Sequence, residues 1–245
     1  MDKNLILEVK KKREFTELPD SLVEKALFLN KNDVKSTRAF LRKYFGVFLT
    51  NKVVKNKILS EGVLKSHISS RKRDYSELYS KILTHEKTII DLGCGVNGFS
   101  YYFLKEVLHS VKYLGFEASG QLVGNMNLFF AENQFNATAL HLDLFNLDEI
   151  SNILEKQEKP RTVFLFQVID ALEKFEKNFS KKLLLVIAPL CEKIVLSYSL
   201  KSISGKSTFQ TNRNWIKYFV EEHFQVIEEL DLFDEHFIVL SYNKK

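Results

Sequence analysis

The stretch "IIDLGCGVNGFS", residues 89–100, says more about the fold than any other part of the sequence. It begins with an apolar run typical of a buried strand, passes through three glycines and continues into an apolar segment with helical spacing. Glycines at such a turn let the backbone approach a ligand closely, and a following helix start offers free N–H groups. A tight strand-to-helix turn without a ligand would give a similar pattern, so the glycines alone do not establish a binding site.

From Thr88 onward, short β-rich runs alternate with amphipathic segments. The seven strand candidates are residues 88–93, 112–118, 138–144, 162–169, 193–199, 224–233 and 236–243. The first five are separated by segments long enough for helices, which predicts a mostly parallel, doubly wound sheet. Only a few residues around "FDEH" join the last two, which predicts an antiparallel hairpin at one sheet edge.

A parallel sheet that ends in such a hairpin is typical of class I methyltransferases, and ordinary Rossmann dehydrogenases do not end this way. We therefore predict an α/β protein with the fold of class I S-adenosylmethionine (SAM)-dependent methyltransferases. Its Rossmann-like seven-stranded sheet is expected to be mostly parallel, with a C-terminal antiparallel hairpin and an N-terminal helical domain. The predicted domains are a helical, basic domain over residues 1–84 and a catalytic domain over residues 85–245.

Acidic residues stand at the ends of the first three predicted strands, where the ligands of open α/β sheets bind. Asp91 lies at the end of the first strand, where an acid is typical of SAM sites. Glu117 closes the second strand and could accept hydrogen bonds from both ribose hydroxyls of an adenosine. Asp143 closes the third strand and could receive or flank the adenine amino group. Each acid alone would be read as surface charge, but three at consecutive strand ends predict a SAM site.

The positive charge of the chain belongs to its N-terminal third. Residues 1–80 carry 18 Lys and Arg against 10 Asp and Glu, whereas the remaining residues carry 18 against 21. Residues 35–73 contain 11 Lys and Arg and a single acid, Glu61. This density is expected of a surface that contacts phosphates. A solvated basic helical face would look the same by composition, so both interpretations stay open.

Composition narrows the class of protein further. The chain has 245 residues, 45% of them hydrophobic, which is enough to bury a full core. It has no apolar run of the roughly 18 residues that span a membrane and no signal-peptide pattern at its start, so we expect a cytoplasmic protein without membrane contact. The two cysteines lie far apart, and the six histidines show no ligand spacing. We therefore expect neither a disulfide nor a metal site.

Three motifs resemble those of one known family. They are "HISSRKR" at residues 67–73, "DLGCGVNG" at residues 91–98 and "SYSLKSISGK" at residues 197–206. They resemble motifs of the aminoglycoside-resistance 16S rRNA methyltransferases, which modify guanine N7 in the ribosomal decoding site. The resemblance implies SAM as cofactor, 16S rRNA in an assembled 30S subunit as partner, an rRNA-docking role for the N-terminal domain and a monomeric enzyme.

The resemblance also implies roles for individual residues. Arg71, with Ser70, would hold the methionine carboxylate of SAM, to which a guanidinium is well suited. The expected cofactor-binding residues are His67, Ser70, Arg71, Asp91, Gly93, Gly95, Asn97, Glu117, Asp143, Leu144 and Gln167. The expected RNA-binding residues are Lys35, Arg38, Arg42, Lys43, Lys52, Lys55, Lys57, Lys72, Lys201, Ser202 and Lys206.

The sequence departs from the family pattern at several positions. Lys72 stands where the family has Glu, and Asp170 where a Pro usually follows the fourth strand. Phe209 and Gln210 replace a Gly-Met pair beyond the third motif. Because the last two lie near the expected RNA target, the cofactor is better supported than the methylated base. The alternatives are a methyltransferase of another rRNA or tRNA base, and a catalytically idle RNA-binding homologue.

The chemistry is narrowed by the motifs that the sequence lacks. "FQVIDAL", after the fourth predicted strand, contains no N/D-P-P-Y/F motif of the kind that methylates exocyclic amino groups. Neither Cys94 nor Cys191 is placed as a nucleophile for cytosine C5. Guanine N7 already presents an in-plane lone pair, so its methylation requires positioning and a flipped base but no general base. Accordingly, we assign no catalytic acid or base.

Overall fold

A computed structural model describes residues 3–46, 62–67, 69–200 and 213–242. Seven strands of the described chain form one sheet in the order β3-β2-β1-β4-β5-β7-β6. The strands are β1 Thr88–Leu92, β2 Lys112–Glu117, β3 Ala137–His141, β4 Arg161–Phe166, β5 Lys193–Ser199, β6 Gln225–Leu232 and β7 Glu235–Ser241. Each lies within or overlaps one of the seven strand candidates, so the predicted fold class is confirmed.

The parallel strands β1 to β5 place their carboxyl ends along one edge of the sheet. Leu92 at the end of β1 pairs with Phe116 of β2, so Glu117, the last residue of β2, lies beside the turn that follows β1. The last two strands form the predicted antiparallel hairpin. Its two-residue turn consists of Phe233 and Asp234, which both have positive φ angles, 57° and 64°. Such angles match the twist of the flanking strands in tight hairpins.

Helices cover both faces of the sheet and form the N-terminal region. Within the described ranges they are α1 Lys3–Lys10, α2 Asp20–Leu29, α3 Val34–Leu41, α4 Gly62–Ser66, α5 Tyr75–Ile82, α6 Tyr101–Leu108, α7 Gly120–Glu132, α8 Leu147–Glu155, α9 Ile169–Phe175, α10 Phe179–Ile187 and α11 Asn214–His223. Short 3₁₀ turns lie at Arg13–Phe15, Asn97–Ser100 and Ala188–Leu190, and a π-helical turn lies at Arg42–Gly46.

Side-chain caps explain where several helices begin. Asp33 accepts a hydrogen bond from the Ser36 N–H at 2.8 Å ahead of α3. Asp74 accepts one from the Glu77 N–H at 3.0 Å ahead of α5. Each carboxylate satisfies an N–H group that has no partner inside its helix and places negative charge at the positive end of the helix. The sequence therefore specifies these helix starts locally.

Alternating residues of the strands enter two apolar cores, one on each face of the sheet. Ile89 packs in the core that contains α5, α6 and α7, and its neighbour Ile90 packs in the core that contains α8 to α11. A third core joins α1, α2 and α3 and includes Phe175 of α9. Residues from α4 and α5 belong to the first of these cores. The helices α4 and α5 thus pack with the sheet, and Phe45 packs against both the first and the third core, while the domain boundary at residue 84 stays a prediction.

Candidate active site

A cavity opens at the carboxyl ends of the central strands, between the sheet and the N-terminal helices. Its empty space, including the open mouth, is about 1010 Å³, at the upper end of the range for small-molecule pockets. Most of the residues that the sequence assigns to the cofactor lie in its wall. They are His67, Ser70, Gly93, Gly95, Asn97, Glu117, Asp143, Leu144 and Gln167.

The glycine turn after β1 forms the floor of the cavity. Gly93 and Gly95 both have positive φ angles, 73° and 53°, which side chains strongly disfavour. A Cβ atom at Gly93 would stand 2.7 Å from Cγ2 of Val168, so the turn also needs the missing side chain for space. The N–H groups of Gly93 and Cys94 donate to the carbonyl of Phe116 at 2.9 and 3.0 Å. These bonds hold the turn against the end of β2.

Glu117 connects the turns that follow β1 and β2. One of its carboxylate oxygens accepts the Gly95 N–H at 3.0 Å, and the other accepts the Ser119 N–H at 2.8 Å. Burial raises the pKa of Glu117, although these backbone donors act in the opposite direction. Because a carboxylate has about four lone-pair sites, each oxygen retains capacity for a second donor. Glu117 is thus held in place with acceptor capacity left on both oxygens.

Asp91 bonds to Asn97 at the end of the glycine turn after β1, and it does not line the cavity. One of its oxygens accepts hydrogen bonds from Nδ2 of Asn97 at 2.6 Å and from the Tyr113 hydroxyl at 2.9 Å. Its other oxygen has no hydrogen-bond partner among the described residues. Burial raises the pKa of Asp91 to about 6, although both donors lower it. Its contribution is to orient Asn97, which does line the cavity.

The two arginines of "HISSRKR" lie in different environments. Arg71, which the family resemblance assigns to the methionine carboxylate, is exposed, and the cavity wall contains Arg73 instead. The Arg73 side chain is only 4% exposed, and its Nε and Nη2 each donate to a Glu235 oxygen at 2.8 Å. The guanidinium lies 5.1 Å from the ring centre of Phe166. Burial alone would lower the pKa of Arg73, but Glu235 raises it overall.

The turn that carries these arginines is held by its own polar groups. The Ser70 hydroxyl donates to the Leu64 carbonyl at 2.8 Å, and the Ser69 hydroxyl lies 2.9 Å from Nδ1 of His67. Burial lowers the pKa of His67 to about 3, with a further contribution from the charge of Arg73. His67 is therefore neutral at physiological pH and bonds within the turn through Ser69.

Two further parts of the cavity wall are formed by the segments that follow β3 and β4. One Asp143 oxygen accepts the Phe145 N–H at 3.0 Å, and the other accepts the Ser21 hydroxyl at 2.7 Å. Gln167, after β4, has a positive φ of 57°. Its N–H donates to the carbonyl of Ser197 at 3.1 Å, which holds this unfavourable conformation.

Sequence reasoning missed the aromatic and apolar wall contributed by the N-terminal helices. Leu22, Tyr44 and Phe45 line the cavity next to Phe175 of α9. The helical spacing of Leu22, Tyr44 and Phe45 predicts burial but does not tell which partner buries them. Only the packing of the third core against α9 brings them to the cavity.

The residues predicted to contact RNA fall into three groups. Lys52, Lys55, Lys57, Lys201, Ser202 and Lys206 lie outside the described residues, as do Phe209 and Gln210. Lys35, Arg42 and Lys43 are exposed on the N-terminal region, with Arg42 also paired to Glu14 at 2.7 Å. Arg38 and Lys72 have structural partners: Arg38 donates to the backbone carbonyls of Glu8 and Val9, and Lys72 pairs with Asp234 at 2.5 Å.

The described residues contain buried cysteines but no metal-binding cluster and no membrane-spanning helix. Both cysteines are buried, and burial raises the pKa of the Cys191 thiol to about 12 and that of Cys94 as well. No group of three or more His, Cys, Asp or Glu in the described ranges could hold a metal ion. None of the helices there is long and apolar enough to cross a bilayer.

The sheet order, the C-terminal hairpin and the site at the strand ends together define the class I methyltransferase fold. Neither a model of a known protein family nor a curated protein matches the sequence. Solved structures do match the fold over almost the whole chain.

The structure of the 16S rRNA methylase RmtB matches with a TM-score of 0.76, 16% identity and 98% coverage of both chains. That of the 16S rRNA methyltransferase RmtF, in complex with S-adenosyl-L-homocysteine, matches with a TM-score of 0.77, 15% identity and coverage of 99% of this chain and 100% of its own. An rRNA methylase from Escherichia coli matches with a TM-score of 0.75, 15% identity and coverage of 98% and 99%. The shared fold therefore includes the N-terminal helices.

Breaking the buried Arg73–Glu235 pair should destabilise the protein strongly. We expect Arg73→Met or Glu235→Leu alone to lower the free energy of unfolding by about 3–5 kcal/mol, because each leaves a buried charge without its partner. The double variant should lose less than the sum of the two. Urea unfolding measures all three, with the exposed pair Lys81 and Glu77 as control, where the same changes should cost about 0–1 kcal/mol. Additive losses at Arg73 and Glu235 would contradict the pairing.

Asp91 should make stability fall with rising pH. Between its ordinary pKa of 3.8 and about 6, the folded protein keeps a proton that the unfolded chain has released. Stability from this group is therefore present below pH 3.8 and lost as pH rises to about 6. We expect the stability of the wild type relative to Asp91→Asn to fall by up to about 3 kcal/mol across this window. Urea unfolding of both proteins at several pH values measures it, and a constant difference would refute the assignment.

Proposed function

We propose that this protein is a SAM-dependent methyltransferase that acts on 16S rRNA within the small ribosomal subunit. The observation that carries the proposal is the match of nearly the whole chain to solved 16S rRNA methylases. The N-terminal helices are part of that match, and they carry the basic surface. The sequence motifs support the same family independently of the fold.

The cavity has the groups that a bound SAM would need. Glu117 would accept the ribose hydroxyls through the acceptor capacity that its two backbone bonds leave. Asp143 and Leu144 would frame the adenine. Arg73 would face the methionine carboxylate, because it lies in the cavity wall and its Nη1 makes only long contacts with the described residues, 3.4 Å to Oδ1 of Asn97 and 3.5 Å to the Tyr75 hydroxyl. When bound, SAM supplies an electrophilic methyl group.

The chain itself would act by positioning and by excluding water. The end of the cavity near Gln167 is bordered by Phe166 and Val168, whose apolar surfaces exclude water from the transfer. Gln167 would close the pocket near the methyl group, from a backbone conformation that Ser197 holds. A base that already presents its lone pair needs alignment and no proton removal. We therefore propose guanine N7 as the methylated atom, with the base flipped out of its stack.

Recognition of the RNA would depend mainly on phosphates and shape. Lys35, Arg42 and Lys43 are exposed on the N-terminal helical region and would contact the RNA backbone. Structured rRNA is recognised mostly by its shape, so an assembled 30S subunit should be a better substrate than naked rRNA. We further propose the decoding site as the target, which would make aminoglycoside resistance the biological outcome.

Replacing the predicted ribose ligand should weaken cofactor binding. We expect Glu117→Gln to raise the Kd for SAM about tenfold to a hundredfold, because an amide replaces a charged acceptor. Calorimetry measures the affinity, and Glu132→Gln, an exposed change on α7, serves as matched control. Equal affinities for both variants and the wild type would remove Glu117 from the site. A wild type that binds no SAM would instead identify an idle homologue.

The substrate can be determined with methyl-labelled SAM and isolated 30S subunits. We expect label in 16S rRNA, at a guanine whose N7-methyl group makes the strand cleavable by borohydride and aniline. Naked 16S rRNA should take up less label, because the proposed recognition depends on folded RNA. Label that enters tRNA or protein would refute the ribosomal assignment. Label at another atom of 16S rRNA would refute only the N7 assignment.

A further inference from the structure

The N-terminal helical region contributes part of the cavity wall itself. Leu22 of α2 lines the cavity together with Tyr44 and Phe45 of the π-helical turn. They belong to the same apolar cluster as Phe145, and Ser21 next to Leu22 bonds to Asp143, so they lie at the end of the cavity that contains Asp143 and Phe145. If the cavity holds an adenosine with its ribose at Glu117, this is the end that receives the base. The wall of the adenine pocket would then come from two different parts of the chain.

Specific contacts hold this wall in place. The Ser21 hydroxyl donates to Asp143 at 2.7 Å, and the Lys25 ammonium lies 4.4 Å from the ring centre of Phe145. Phe45 packs against both the sheet core and the N-terminal core. Its ring meets that of Phe175 edge-on at 5.9 Å between centres, a favourable arrangement for aromatic pairs. The helical region and the sheet are therefore joined directly at the cavity.

The turn Arg42–Gly46 has two functional faces. Arg42 and Lys43 are exposed, and Arg42 pairs with Glu14 at 2.7 Å. The next two residues, Tyr44 and Phe45, are half-buried and line the cavity. Four consecutive residues thus present two cations to solvent and two aromatic rings to the cavity. π-helical turns of this kind occur often at functional sites.

We propose that the N-terminal helical region completes the adenine pocket and that the turn Arg42–Gly46 couples cofactor binding to RNA binding. The inference rests on the proposed function, because it takes the ligand to be SAM and the partner to be rRNA. Ser21 is a positioning residue that acts through Asp143, while Leu22, Tyr44 and Phe45 contact the base side of the cofactor. Binding of RNA to Arg42 and Lys43 stabilises the same turn that the cofactor needs, and the reverse also holds.

The wall is tested by calorimetry on the full chain with two ligands. S-adenosyl-L-homocysteine carries adenosine and an amino-acid tail, and 5′-deoxy-5′-methylthioadenosine carries the adenosine part alone. We expect Phe45→Ala to raise both Kd values about tenfold, because it removes an aromatic wall from the base. Ser21→Ala, a mild change at a partly solvated hydrogen bond, should raise both about threefold. Because Ser21→Ala should affect folding little, it still tests the contribution of the wall to binding if Phe45→Ala does not fold.

Two controls separate this effect from general destabilisation. Phe28→Ala truncates an aromatic residue of α2 that is 75% exposed and does not line the cavity. Ser80→Ala removes a hydroxyl whose hydrogen bond to the described residues stays within its own helix, to the Glu77 carbonyl. Both should bind the two ligands as the wild type does. Wild-type affinity in Phe45→Ala and Ser21→Ala would overturn the inference while leaving SAM binding intact. A wild type that binds neither ligand would overturn the proposed function as well.

The coupling is tested with isolated 30S subunits, with and without saturating S-adenosyl-L-homocysteine. We expect the ligand to tighten binding of the wild type to the subunit about threefold to tenfold, within the usual range of coupling between sites. In Phe45→Ala this gain should disappear, while in Phe28→Ala it should remain. If S-adenosyl-L-homocysteine tightened binding to the subunit equally in Phe45→Ala and in the wild type, the proposed coupling would be wrong.

Discussion

The buried ion pair between Arg73 and Glu235 is the interaction on which the arrangement of the site depends. It joins residues 162 positions apart in sequence, one in the turn before α5 and one at the start of β7. Glu235 also accepts a hydrogen bond from the Ser197 hydroxyl of β5, and Arg73 reaches Asn97 beside the glycine turn. Through Asn97 the same polar network continues to Asp91 in the central strand. Removal of a single member of such a network is costly, because it leaves its partner as a buried unpaired group.

The network explains why the cavity lies where it does. Glu117 and Asn97 fix the turn after β1, and Arg73 stands beside that turn with its charge held by Glu235. The Phe166 ring lies against the guanidinium, so one side of the arginine is apolar. The cavity therefore presents acceptors near β2 and a donor near β4, an arrangement suited to a ligand with hydroxyls at one end and an anion at the other.

The basic character of the N-terminal third has more than one cause. Arg73 is internal, Arg38 caps backbone carbonyls of α1, and Lys72 binds the hairpin turn through Asp234. These cations hold parts of the fold together. Lys35, Lys43, and the paired but exposed Arg42 and Lys72 form the surface that a phosphate backbone could contact. Some of the basic residues in the N-terminal third therefore stabilise the fold. Composition alone does not separate them from the basic residues that could contact RNA.

The sequence by itself determined the strands, the C-terminal hairpin and the glycine turn, because each depends on local periodicity or on backbone angles that few residues adopt. It also determined that Glu117 and Asp143 share one edge, since parallel strands align their carboxyl ends. Only the tertiary structure decided that Arg73 and not Arg71 enters the cavity wall, and that Phe45 lines it. The positions of these two side chains depend on contacts between segments far apart in the chain. A local sequence pattern does not indicate which distant segment buries a given side chain.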